Sequence, residues 1–205
     1  VVFEDFLGDN DWNEALLDSL RKTNINPVDV VKAYRQKVKQ IYNLHIMPRE
    51  EGVFSTAFAI LSSKKQVEDF FAYKTELLGK DKFYNTSFAQ ALELVKAYED
   101  ALRYWNFNLE DPNGQTGIFF YFQRPLNLLM NQLNRPKDAI EFVKKWSAKR
   151  PEFALYLNYT IARYLADKKV EKGEAKKAID FCIQNFKPNG FFKIEDAQKL
   201  NDALK

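Results

Sequence analysis

The octet AIEFVKKW at residues 139–146 has two near-copies in the same chain, ALELVKAY at 91–98 and AIDFCIQN at 178–185. In the first of these Ala139, Phe142, Val143 and Trp146 stand at i, i+3, i+4 and i+7, which is one face of an α-helix. Ala91, Leu94, Val95 and Tyr98 repeat the face, and so do Ala178, Phe181 and Cys182, with Phe186 supplying the bulk at the end. The alanine that opens each unit predicts a close approach by a neighbouring helix, and the terminal aromatic predicts a filled, wider end. An acid follows each alanine by two residues (Glu93, Glu141, Asp180), and the reading places it in the first turns, where the helix dipole favours negative charge.

The rest of the chain punctuates itself as helices do. Only 7 Gly and 7 Pro interrupt 205 residues, and no stretch sustains the period-2 alternation of a half-buried strand. Asn26, Pro27 and Asp29 cap a helix that runs to about Leu44, and DWNEALLDSLRK and EGVFSTAFAILSS flank it as shorter ones. The segment 64–79 ends at Gly79, a plausible terminator. Ser87 and Gln90 read as a capping box for the helix that carries the octet at 91–98. Pro125, inside the run 115–133, predicts a kink or a break. Pro136 and Pro151 suit first helical positions, and a last helix starts near Ile194. Asp111–Gly114 and the KPNG at 187–190 read as turns. The octet spacings of 48 and 39 residues make the array irregular. The expected fold is therefore all-α: a single domain over 1–205, an irregular α-solenoid of about ten helices in antiparallel pairs. It has an acidic and apolar N-terminal segment at 1–10 and repeat-like pairs at about 64–104, 115–148 and 151–187.

At 157–190 the sequence resembles a pentatricopeptide repeat. NYTI at 158–161 stands for that family's first-helix signature, EAKKAIDF at 174–181 for its second helix and KPN at 187–189 for its ending. RPKDAIEFVKKW at 135–146 and FAQALELVKAY at 88–98 are similar to further second helices. The resemblance, which spans roughly 64–190, implies helix pairs, a mitochondrial setting and either RNA or protein as partner. It implies a base-reading role for Asn158. The separation of 20 residues between Asn158 and Ala178 exceeds the family's spacing by more than a turn, and the other units offer no equivalent Asn, which argues against a one-base-per-repeat code.

Composition excludes more than it identifies. Hydrophobic residues at 46% and charged residues at 29% make a core-forming, water-compatible chain, and the net charge of +3 is no argument for nucleic acid. The charge is unevenly spread. Residues 1–20 carry six acids and no Lys or Arg, whereas 135–177 carry twelve bases and six acids. A single cysteine, Cys182, rules out an intrachain disulfide and suits a reducing compartment or an organelle matrix. No apolar run approaches a membrane span, so no membrane insertion is expected. The start at Val1, without Met, reads as a processed chain or a cut segment.

No residue set announces a reaction. His45 is the one histidine and has no ligand-spaced companions. Gly114 with Gly117, and Gly79 with Lys80, lack the remaining features of phosphate loops. The adjacent acids Glu68–Asp69 and Glu99–Asp100 point to different sides of a helix. The reading is a non-enzyme with no cofactor and no metal. What remains is aromatic: Tyr156, Tyr159 and Tyr164 share a helix with Arg163, and Phe119, Phe120, Tyr121 and Phe122 are consecutive at a point where 15% of the whole chain is aromatic. Such a run is either sandwiched between layers or left as an exposed docking face. Tyr156, Tyr159 and Arg163 are candidate partner-binding residues. So are Phe3, Phe6 and Leu7, apolar anchors in a segment whose acids would steer it to a basic surface. The expected function is an accessory subunit that binds protein subunits of a larger mitochondrial-matrix assembly. RNA binding by the basic stretch, and a cytoplasmic location, are the alternatives.

Overall fold

A computed structural model describes residues 21–23, 25–42, 50–111, 118–188 and 191–204. The described residues are all-helical, with no strand. Two compact units divide the chain, 1–104 and 105–205. The DWNEALLDSLRK helix up to Leu20, His45, the turn residues 112–114 and the anchors Phe3, Phe6 and Leu7 lie outside the described residues.

In the first unit, α1 (Pro27–Tyr42) starts as its sequence predicts: the Asn26 side-chain oxygen accepts a hydrogen bond from the Val28 N–H at 3.0 Å. It packs on α2 (Glu50–Ala59) and α3 (Lys64–Leu78). The capping box of this unit stands at Ser63–Gln66, not at Ser87–Gln90. Ser63 Oγ accepts from the Gln66 N–H, and Gln66 Oε1 reaches back to the Ser62 N–H at 2.9 Å. Ser87 lies inside α4 (Tyr84–Leu94), because Asp81 supplies an earlier start by accepting from the Phe83 N–H at 2.7 Å. At the other end of α3, Gly79 adopts φ +75° and ψ 178°, a region open to glycine alone. The core here is aromatic. Phe71, 1% exposed, is ringed by Phe58, Phe70, Tyr84 and Phe88 at centroid distances of 4.7 to 6.5 Å.

The octet at 91–98 is not one helix. Helix α4 ends at Leu94, Lys96 turns left-handed at φ 61°, and α5 (Tyr98–Glu110) begins two residues on. The Ala97 N–H returns to the Leu92 carbonyl and the Lys96 N–H to that of Glu93, a Schellman closure built on lysine where glycine is usual. Leu94 is consequently 40% exposed rather than part of a buried stripe.

The second unit contains the end of α5 from Trp105, then α6 (Ile118–Asn127), α7 (Pro136–Lys149), α8 (Ala154–Lys168), α9 (Lys172–Gln184) and α10 (Ile194–Ala203). Helix α6 runs unbroken through Pro125. The irregularity comes just after it, as a π-turn at Leu128–Gln132 whose wide closure puts Leu128, Leu129 and Met130 into the core. A single 3₁₀ turn, Pro151–Phe153, leads into α8. Consecutive helices α7, α8, α9 and α10 pack on one another.

Here the octet behaves as expected once in full: Ala139, Phe142, Val143 and Trp146 are all buried on α7. In α9 the buried stripe is Ala175, Ala178, Ile179 and Cys182, while Phe181 is turned outward and 37% exposed. The stripe keeps the i, i+3, i+4, i+7 spacing but starts at Ala175, three residues before the alanine that opens the octet. The acids are also displaced. Glu93 is in the last turn of α4, and Glu141 and Asp180 lie beyond the first turns, where Asp138 and Glu174 stand instead. Ala139 is fully buried, so Ala139→Leu should overpack the α7 crossing and lower stability by about 1–3 kcal/mol, read as a fall in chemical-denaturation midpoint at constant slope.

Candidate functional site

Helix α8 has two unlike faces. Leu157, Ile161, Ala162 and Leu165 are buried against its neighbours. On the other side, Tyr156, Tyr159, Thr160, Arg163, Tyr164 and Asp167 follow the helical spacing and, with Gln123 of α6 and Phe191, line a concavity of about 280 Å³. The structure thus brings Tyr156, Tyr159 and Arg163 together, as one rim of one hollow.

The walls are set by aromatic packing. Phe119 meets Phe153, Tyr156 and Phe191 edge-on at 5.2, 5.0 and 4.6 Å between centroids. Tyr159 stacks on Phe192 at 4.3 Å with the rings 12° apart, and Phe192 in turn leans on Phe186. Each such pair adds about 0.5–1.5 kcal/mol beyond its buried area. The Arg163 guanidinium lies 6.0 Å from the centre of the Tyr159 ring. Burial pushes the phenols of Tyr156, Tyr159 and Tyr164 above the ordinary tyrosine range, so all three stay protonated hydrogen-bond donors at any physiological pH.

The consecutive aromatics on α6 divide between the two readings. Tyr121 and Phe122 are buried, while Phe119 and Phe120 are 38% and 39% exposed. Phe119 packs against Tyr156 and Phe191, which line the concavity. Phe120 packs on Trp105 at 5.5 Å, with Arg124 over its outer face.

The residue implied as a base reader is engaged inside the fold. Asn158 donates from Nδ2 to the Ala154 carbonyl at 2.9 Å and to Ser147 Oγ at 3.2 Å, tying α8 to α7. Much of the basic stretch is likewise taken up within the chain. Lys145 and Lys149 both pair with Glu110, Lys144 with Glu141 and Glu174, Lys177 with Glu174, Lys176 with Asp180, and Arg150 with Glu152. The Lys145 ammonium, hydrogen-bonded to Glu110, holds that carboxyl below its usual range. Such exposed pairs are screened by water and add little stability, and their effect is to reduce the field the stretch presents.

Sequence reasoning missed Phe191 and Phe192, and did not use Thr160 or Asp167. The last two were accessible from spacing alone, since they extend the Tyr156–Arg163 face at i+4 and i+11. Phe191 and Phe192 are adjacent aromatics after a turn, and nothing local says which helix they fold onto. Among the described residues no cluster of three His, Cys, Asp or Glu could hold a metal ion. Cys182 is buried, its Sγ donating to the Leu155 carbonyl at 3.5 Å, and burial pushes its thiol up to about 12. Native protein should therefore resist iodoacetamide at mildly alkaline pH and react rapidly once unfolded. The unfolded state releases this proton first on raising the pH. Stability should fall between the ordinary thiol pKa and about 12, and a Cys182→Ala variant should lack that component of the fall.

Comparison with known proteins finds no matching family model, no matching curated protein and no matching solved structure.

Proposed function

We propose that this chain is a non-catalytic accessory subunit that docks a partner protein within a mitochondrial assembly. Its helices would form an irregular, pentatricopeptide-like solenoid with the α8 concavity as the gripping face. The overall sequence plan is similar to that of the accessory subunit on the catalytic head of euglenozoan mitochondrial ATP synthase, and that head is the partner proposed. The observation that carries the docking reading is the rim of Tyr156, Tyr159 and Arg163. Half-buried tyrosines held by an edge-on neighbour at Tyr156 and a stacked one at Tyr159, beside an arginine, are the composition of interface hot spots. Supporting it further, Asn158 and much of the 135–177 stretch are committed inside the fold, which lessens the support for RNA as ligand.

The experiment is size-exclusion chromatography of the purified chain mixed with a purified mitochondrial ATP synthase catalytic head, and separately with single-stranded RNA. Co-elution with the head at physiological salt is the expected result. Failure to co-elute, together with a sequence-selective RNA complex that weakens steeply with salt, would replace this reading with the RNA one.

A further inference from the structure

The corner between α3 and α4, in the first unit, carries apolar side chains where water is the only neighbour. Six consecutive residues, Leu78 to Phe83, are exposed. Leu78 is 55% exposed and Phe83 41%. Gly79, at φ +75°, turns the chain out of α3, and no atom lies within 4 Å of where a side chain on it would begin. The turn is closed by its own hydrogen bonds. The Tyr84 N–H donates to the Asp81 carbonyl at 3.1 Å, and the Phe83 N–H donates to the Asp81 carboxylate at 2.7 Å. A hydrogen-bonded turn thus holds a leucine and a phenylalanine out in solvent, an arrangement whose cost is relieved when something apolar covers them.

The charges at this corner are sorted by sign. Asp81 accepts from the Phe83 N–H and lies 3.8 Å from the Lys74 ammonium, which offsets its charge. Glu76, two residues before Leu78, lies about 200° round the helix from it. Lys80 and Lys82 are exposed and make no ion pair among the described residues. Their ammonium groups sit over the rings of Tyr84 and Phe83, 5.0 and 4.8 Å from the centroids. The turn therefore offers two apolar side chains flanked by two cations on flexible stems. We infer that this corner rests on an anionic lipid surface, with Leu78 and Phe83 at the boundary between headgroups and acyl chains and Lys80 and Lys82 on lipid phosphates. A bilayer suits the corner better than a protein does. Two apolar side chains on an open turn fall well short of the roughly 800 Å² that each partner buries in a stable protein interface. A fluid lipid surface covers them without shape complementarity. No described helix is long and apolar enough to cross a membrane, and the contact is peripheral. It lies within the first unit and does not depend on the docking reading above.

Co-sedimentation of the full chain with lipid vesicles tests this. One set of vesicles holds equal parts of phosphatidylcholine and phosphatidylserine, and the other phosphatidylcholine alone. Binding to the mixed vesicles should be at least about tenfold tighter, and it should weaken as salt is added. Lys80→Gln/Lys82→Gln should weaken it by about tenfold to thirtyfold, on the order of fivefold for each lysine. Leu78→Ser/Phe83→Ser should weaken it by at least about tenfold at unchanged net charge. All four side chains are exposed, and serine suits the helix-start position that Phe83 occupies, so both variants should keep the wild-type thermal midpoint. Vesicle binding that is absent, equal on the two kinds of vesicle, or undiminished in the Leu78→Ser/Phe83→Ser variant would overturn the inference. So would a wild-type chain that ignores vesicles while these variants lose affinity for the catalytic head, which would make the corner a protein contact.

Discussion

Phe71→Ala is expected to destabilise the protein by about 3–5 kcal/mol, enough to lower the midpoint of thermal unfolding by about 10 °C or more. The ring is 1% exposed and joins three helices. It touches Phe58 of α2, lies beside Phe70 on its own helix, and meets Tyr84 and Phe88 of α4. Truncation removes the transfer free energy of a whole aromatic side chain and leaves a hole lined by rings that cannot collapse into it without tilting their helices. Phe71→Leu should recover more than half the loss. If Phe71→Ala unfolds with the wild-type midpoint, the aromatic cluster is not the core of this unit.

Phe122→Ala should have a comparable effect, about 3–5 kcal/mol, in the second unit. Phe122 is 1% exposed and ties α6 to Phe142 and Trp146 of α7 and to Phe153 of the 3₁₀ turn. Phe153 also abuts Phe119, so the same substitution should loosen one wall of the concavity. Hydrogen exchange at the backbone of α6 and α7 reads the first effect, and partner binding under conditions where the variant remains folded reads the second. Wild-type exchange in α6 and α7 would contradict the packing described here.

The helical class was readable because it rests on periodicity, which composition and spacing carry openly. The ends of helices were readable where their chemistry is local, at Asn26, Pro136 and Gly79. They were hidden where the chain turns left-handed without glycine. Nothing in ALELVKAY marks Lys96 as a helix terminator; its φ of 61° is imposed by the Schellman closure and by the packing of Leu92 and Ala101, both fully buried. Lys169 closes α8 in the same way at φ 58°. The competing capping boxes show the same limit. Ser63 and Ser87 each have a glutamine three residues on, and the earlier start that Asp81 gives α4 leaves Ser87 interior. Half of the candidate site was legible, since Tyr156, Tyr159 and Arg163 share one helix and spacing alone puts them on one face. Its other half comes from Phe119, Gln123 and Phe191, and depends on how separate helices pack.

The central claim is that the partner is held at the α8 concavity. The most direct test is the affinity of Tyr159→Ala/Arg163→Ala for the catalytic head, measured beside its thermal midpoint. Tyr159→Ala removes the stacking on Phe192, so the midpoint should fall by a few degrees, while affinity, measured where the variant stays folded, should fall at least about a hundredfold, as loss of paired hot-spot residues does. A double variant that stays folded and binds the head with undiminished affinity would contradict the account.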